Sequence, residues 1–219
     1  REQKAISIDD MYYQDNRLVR AVYAVKAFPL PENRVGVSFD NITEKKIAEE
    51  KIKVSEEKFR LLFESANDTI LMIKDGIIID CNNKALIDFV CKRDYLIGKA
   101  PYEVSPIFQP SGEPSDTEAK KYIHSAELAG KTDVFEWVHK KENGEMFFSE
   151  IGLSVIDIGN EKIVQAIVRD ITDRKKANED LKRREALLNA AINNIPFEVW
   201  ARDMEEKNFL QNTFSRELW

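Results

Sequence analysis

Cysteine and histidine are scarce in this sequence, with two of each, and both shortages exclude chemistry. Cys81 and Cys91 form neither a CxxC pair nor a framework able to staple a small secreted domain, so a reducing, cytoplasmic setting is expected. No second His, Cys or Asp at ligand spacing accompanies His139, and no metal site is expected. Long apolar runs are also missing: no window reaches the roughly eighteen apolar residues that suggest a membrane span. Arg1-Glu2-Gln3-Lys4 does not open a signal peptide, so no membrane contact is expected of this segment. Basic excess is absent too. With 33 Lys and Arg against 39 Asp and Glu, the net charge is -6, which does not favour nucleic acid as a partner. Finally, there is no Ser-His-Asp set, phosphate-binding glycine loop or pair of metal carboxylates, nor the phosphoacceptor-histidine and ATP-binding boxes of a kinase. No catalytic residue is expected in this segment.

What is present suffices for a core. Hydrophobic residues make up 43% and charged residues 33%, a balance typical of globular chains. The sequence also repeats. Asn41-Ile42-Thr43-Glu44-Lys45-Lys46 returns as Asp170-Ile171-Thr172-Asp173-Arg174-Lys175, with Ile42 and Ile171 set 129 positions apart. Without a gap, the same offset carries Ala48, Ile52, Phe59 and Leu62 onto Ala177, Leu181, Leu188 and Ala191, then Asn83 onto Asn212. Such a period is too long for a solenoid and fits a domain plus a linker helix. It divides the chain into the end of one unit (1–42), a linker (43–57), a complete unit (58–172), a second linker (173–187) and the opening of a further unit (188–219).

Within the complete unit, Thr69–Lys74 and Ile77–Cys81 are β-rich runs joined by Asp75-Gly76, a hairpin. Asn82 or Asn83 can cap a helix through Val90. Four of the seven prolines fall between Ala100 and Ser115, so irregular turns are expected there. A helix over Glu118–Ala129 closes at Gly130. Val134–Lys140, Met146–Ile156 and Ile163–Ile171 then form an antiparallel meander through Asn143-Gly144 and Gly159-Asn160. The period of two places Phe147, Ile151, Leu153 and Val155 on its packed face.

This order, with Asn83-Lys84-Ala85, Tyr95-Leu96-Ile97-Gly98-Lys99, Phe135-Glu136-Trp137-Val138-His139, Asn143-Gly144-Glu145 and the Asp170-Ile171-Thr172 junction, resembles the PAS domains of bacterial and archaeal signalling proteins. The resemblance implies an α+β fold: an antiparallel five-stranded sheet with helices on one face, flanked by amphipathic linker helices. It also implies a sensory, non-catalytic module. The parent would be a sensor histidine kinase of a two-component phosphorelay, whose output domain lies downstream in the same chain. The alternatives are a diguanylate cyclase input region and a ligand-free spacer that dimerises.

Candidate sites follow from that frame. Ile70, Met72, Phe89, Tyr122, Phe135 and Trp137 could line an apolar ligand pocket or simply fill the core. Thr172 can cap the exit helix beside Asp170, and Asn41 with Thr43 repeats the arrangement, so these four are the candidate signal-coupling residues. No cofactor is identified. In haem-binding members the iron ligand stands three residues before a Tyr-Ile pair; here Tyr122-Ile123 puts Ala119 there, and His124 lies about 140° away around the helix. The Asn-Cys-Arg-Phe-Leu-Gln motif of light-sensing flavin members is absent. Haem and flavin are thus disfavoured, and Cys81 and Cys91 are expected as small core residues. His139, beside Lys140 and Lys141, is expected at the rim or in a cross-strand pair.

The linkers carry a heptad stripe: Ala48, Ile52, Ser55, Phe59, Leu62 and Ala66 in one, Ala177, Leu181, Arg184, Leu188, Ala191 and Ile195 in the other. Self-association through these helices is the expected partnership, with a small-molecule ligand possible. The Phe59–Ala66 half could instead pack on its own sheet.

Overall fold

Asp75-Gly76 turns the chain back with both residues at positive φ, 51° and 77°, the geometry that matches right-twisted strands. In the computed structural model, which describes residues 6–15, 18–32, 34–159, 161–197, 199–202 and 208–211, two units are formed, 1–64 and 65–219. Asn160 and Asn212 lie outside the described residues.

In the first unit, β1 (Ile6–Asp15), β2 (Leu18–Leu30) and β3 (Arg34–Asn41) make an antiparallel sheet in that order, followed by α1 (Thr43–Glu64). In the second, β4 (Thr69–Lys74) and β5 (Ile77–Cys81) form the expected hairpin. Next come α2 (Asn83–Asp88), α3 (Arg93–Leu96), a 3-10 turn at Pro101–Val104 and α4 (Ser115–Ala129). The meander follows as β6 (Phe135–Lys140), β7 (Met146–Ile158) and β8 (Glu161–Asp170), and leads into α5 (Thr172–Asn193). A last small hairpin pairs β9 (Trp200–Arg202) with β10 (Asn208–Gln211). The five-stranded sheet has the order β5-β4-β8-β7-β6, so the first and last strands of the meander's unit meet at its centre.

Asn82 explains why hairpin and helix stay together. It is fully buried, and its Oδ1 accepts from the Ala85 N–H at 3.1 Å, capping α2, and from the Ile70 N–H at 3.0 Å. Its Nδ2 donates to the Asp68 carbonyl at 3.0 Å. One side chain thereby satisfies backbone groups of three segments. The helix ends at Asp88 rather than Val90, because Val90 adopts φ 51°. At the other end of the helical middle, α4 starts three residues before Glu118, at Ser115, with acidic Asp116 and Glu118 in its first turn and Gly130 at φ 81° closing it.

Both linker helices run beyond the expected ends, to Glu64 and Asn193, since no Gly or Pro interrupts either stretch. Their starts and their ends are each 129 positions apart. Alternation along β7 places Phe147, Ser149, Ile151 and Leu153 inside, where they meet Leu71, Ile73, Val164, Ala166 and Val168 from the neighbouring strands and Phe89, Ala119 and Ala126 from the helices. Among the described residues, no helix is long and apolar enough to cross a membrane.

Candidate functional site

The helical middle and the inner face of the five-stranded sheet line a partly open, apolar cavity of about 40 Å³. Leu71 and Ile73 of β4 line it, with Ala119, Tyr122 and Ile123 of α4, Phe135, Trp137 and His139 of β6, and Ala166 and Val168 of β8. Tyr122 stacks on Phe135 with the rings 3.6 Å apart and nearly parallel, and Trp137 meets Tyr122 edge-on at 6.5 Å. The Trp137 Nε1–H donates to Ser105 Oγ at 2.9 Å, which fixes the indole against the loop after the 3-10 turn. Gln109 secures the same loop: its Oε1 accepts from the Val138 N–H at 2.8 Å and its Nε2 donates to Ser115 Oγ at 2.8 Å.

Of the six pocket candidates, Tyr122, Phe135 and Trp137 lie on the cavity wall. Ile70 and Met72 do not; they point to the opposite side of β4 from Leu71 and Ile73, because successive side chains alternate across a strand. Phe89 is fully buried behind the wall, with its ring edge-on to His139 at 5.0 Å and to Phe147 at 5.2 Å.

His139 takes the cross-strand place, opposite Phe147 with the rings 5.1 Å apart, and not the rim. It is 2% exposed, held between Phe89 and Phe147, and neither ring nitrogen has a hydrogen-bond partner. Burial pushes its imidazole down to about 4; the Val104 backbone and the Asp170 carboxylate oppose this without giving either nitrogen a bond of ordinary geometry. His124, by contrast, is exposed on α4, 3.9 Å from Glu127. Cys81 is buried, and half-buried Cys91 has its thiol pushed up to about 11 by desolvation, which disfavours the reactive thiolate. No cluster of three or more His, Cys, Asp or Glu able to hold a metal occurs among the described residues.

The second feature is the strand-to-helix junction. Thr172 is the first residue of α5 and not its cap; Ile171 holds the cap position, and no side chain caps the helix there. Thr172 instead turns to the neighbouring strand, its Oγ1 accepting from the Phe148 N–H at 3.0 Å. Asp170 Oδ1 accepts from the Thr172 N–H at 2.8 Å, and the Ile171 N–H donates to the Phe148 carbonyl at 2.9 Å. Lys175 completes the clamp, with Nζ 2.5 Å from Glu136 Oε2 and over the Phe148 ring at 4.9 Å. Arg174 pairs with Glu150.

The first unit builds the same junction. Thr43 Oγ1 accepts from the Val22 N–H at 2.9 Å, Asn41 Oδ1 accepts from the Thr43 N–H at 3.1 Å, and the Ile42 N–H donates to the Val22 carbonyl at 2.9 Å. Lys46, 129 positions before Lys175, pairs with Asp10 at 2.7 Å. The lysine pairs were not singled out from sequence, although the repeated Lys46 and Lys175 carried the signal.

A family model for the PAS domain matches residues 67–173. These residues are a PAS domain. The chain is also similar, at low identity, to several solved structures. One is the PAS domain of an HTR-like protein from Haloarcula marismortui (21% identity, TM-score 0.47, covering 57% of this chain and 99% of that one). Another is a PAS domain from Colwellia psychrerythraea (21%, TM-score 0.46, 54% and 98%). A third is a domain of a sensory box sensor histidine kinase/response regulator from Geobacter sulfurreducens (19%, TM-score 0.42, 53% and 95%). No curated protein matches the chain.

Proposed function

We propose that the PAS domain is the sensing element of a larger cytoplasmic signalling protein, a sensor histidine kinase feeding a phosphorelay. A change at its cavity passes through Asp170, Ile171 and Thr172 into α5. In this reading the segment itself performs no catalysis and holds no haem, flavin or metal. The output domain lies downstream, and the linker helices bring two copies together. The observation that carries the reading is the junction. Its hydrogen bonds tie the first turn of α5 to Phe148 on β7, and Asn41, Ile42, Thr43 and Lys46 repeat the pattern at the first linker. A movement of the sheet would then be transmitted as a movement of the helix.

The cavity limits what can be sensed within the domain. At about 40 Å³ it holds a few waters or a molecule of a few heavy atoms, far below the roughly 300–1,000 Å³ of drug-sized ligand sites. That size favours a second reading, a ligand-free spacer that transmits strain between neighbouring units. Both readings route the signal through the junction, and that shared step is tested in the full-length parent. Asp170→Ala with Thr172→Ala should leave the fold intact, loosen the junction by about 1 kcal/mol per lost bond and blunt regulation of the output. Output regulation identical to wild type would remove the coupling role.

A further inference from the structure

Neither nitrogen of His139 has a hydrogen-bond partner, although the residue is buried and lines the apolar cavity of the PAS domain. Buried polar groups are nearly always paired, because an unpaired one forfeits its hydration without return. An apolar ring in the same place, between Phe89 and Phe147, would pack without that loss. Among the described residues, these two nitrogens are the only buried side-chain polar atoms left in this state.

The cavity wall decides what can meet them. Among the described residues, no Asp, Glu, Lys or Arg lines it, so an ion would enter without a countercharge. Burial keeps the imidazole uncharged, with one nitrogen carrying hydrogen and the other a bare acceptor. The Val104 backbone favours a proton on the ring, as a nearby carbonyl does, and so draws the hydrogen to its own side. The remaining nitrogen needs a donor. Water serves it poorly, since a buried water makes about three hydrogen bonds and the rest of the wall, Leu71, Ile73, Ile151, Leu153 and Val168 among it, is apolar. Size narrows the choice further. A protein cavity of about 150 Å³ takes benzene, so one of about 40 Å³ has room for roughly two to four heavy atoms. Pro101, Ala119 and Ile123 line both this cavity and a groove that opens to solvent beside Lys120 and His124, which gives such a molecule a way in.

We infer that the cavity binds a small uncharged molecule of roughly two to four heavy atoms that donates one hydrogen bond to His139 and lays its carbon atoms against β4 and α4, a short-chain alcohol being the simplest of the class. Its role as a signal rests on the sensing function proposed above, whereas its binding is read in the isolated chain.

Methanol is the probe and xenon its apolar counterpart, each titrated into the 219-residue chain at neutral pH while NMR follows the His139 ring nitrogens and the methyl groups of Leu71, Ile73 and Val168. A ligand of two heavy atoms binds no tighter than about 5 mM, so the methanol titration runs to about 0.5 M. Methanol should shift the acceptor nitrogen and the methyl groups together along one saturable curve, and xenon the methyl groups alone. His139→Leu should weaken methanol at least about tenfold and leave xenon within about threefold. Where that variant also loses xenon, the wild-type nitrogen shift decides alone. Ala119→Leu, which fills the space, should abolish both. A nitrogen that stays put while the methyl groups move, methanol binding undiminished in a His139→Leu chain that keeps xenon, or no saturable change up to the final concentration overturns the inference. Hydrogen exchange in α5 keeps binding and sensing apart. Methanol bound at His139 with α5 unchanged leaves the site and removes its sensing role, whereas an α5 that responds to Ala119→Leu in a protein with no methanol site keeps the coupling and overturns the ligand.

Discussion

At the residue scale, His139 is the most constrained group in the PAS domain: a buried imidazole with two unpartnered nitrogens, wedged between aromatic rings. Its folded-state pKa, about 4, lies below the ordinary 6.5, so an unfolded chain takes up the proton first as pH falls. Stability from this group is therefore complete above pH 6.5 and is lost as pH falls towards 4, at up to roughly 1.4 kcal/mol per pH unit. His139→Phe removes the buried nitrogens at similar volume. Urea denaturation from pH 7 to 4.5 should show the variant at least as stable at pH 7 and with the shallower decline; parallel curves for the two proteins would refute the buried neutral imidazole. The inner position of His139 was available from its period of two with Phe135 and Trp137, but the adjacent Lys140 and Lys141 suggested a rim. Ile70 and Met72 failed for another reason: Thr69–Lys74 is apolar without alternation, so the sequence carries no sign of which side of β4 faces the helices.

At the scale of elements, the hairpin, the meander and the ends of α4 and β6 were legible because Asp75-Gly76, Gly130 and Asn143-Gly144 punctuate them. The role of Thr172 was not. A threonine before a charged helix reads as a cap, and only the neighbouring strand reveals that its hydroxyl serves the Phe148 N–H. The linker stripe shows the reverse case: its periodicity is plain in the sequence, while the structure leaves most of its positions exposed. Ala48, Ile52, Phe59 and Leu62 are exposed, as are Ala177, Leu181, Leu188 and Ala191, whereas Phe63, which stacks on Phe59, is buried. Exposed heptads of this kind suit a second helix. Light scattering over a concentration series should show a dimer at high micromolar protein that Ile52→Asp with Leu181→Asp dissociates. A monomer throughout, in both proteins, would end the helix-mediated dimer.

At the scale of the whole molecule, two units share one wiring scheme, in which the last strand of a sheet is stitched to the start of a long helix by an Asx residue, a threonine and a lysine. The most direct test of coupling perturbs the cavity without touching the junction. Ala119→Leu on α4 projects into the cavity, where the extra side chain must be absorbed by the sheet at a cost of about 1–3 kcal/mol. Hydrogen exchange across α5 is then measured in four proteins: wild type, Ala119→Leu, Asp170→Ala with Thr172→Ala, and the triple variant. Coupling requires that Ala119→Leu change exchange in the first turns of α5 and that the junction substitutions abolish that response. If Ala119→Leu alters the sheet but leaves α5 untouched, or if α5 responds equally with the junction removed, the coupling claim is contradicted.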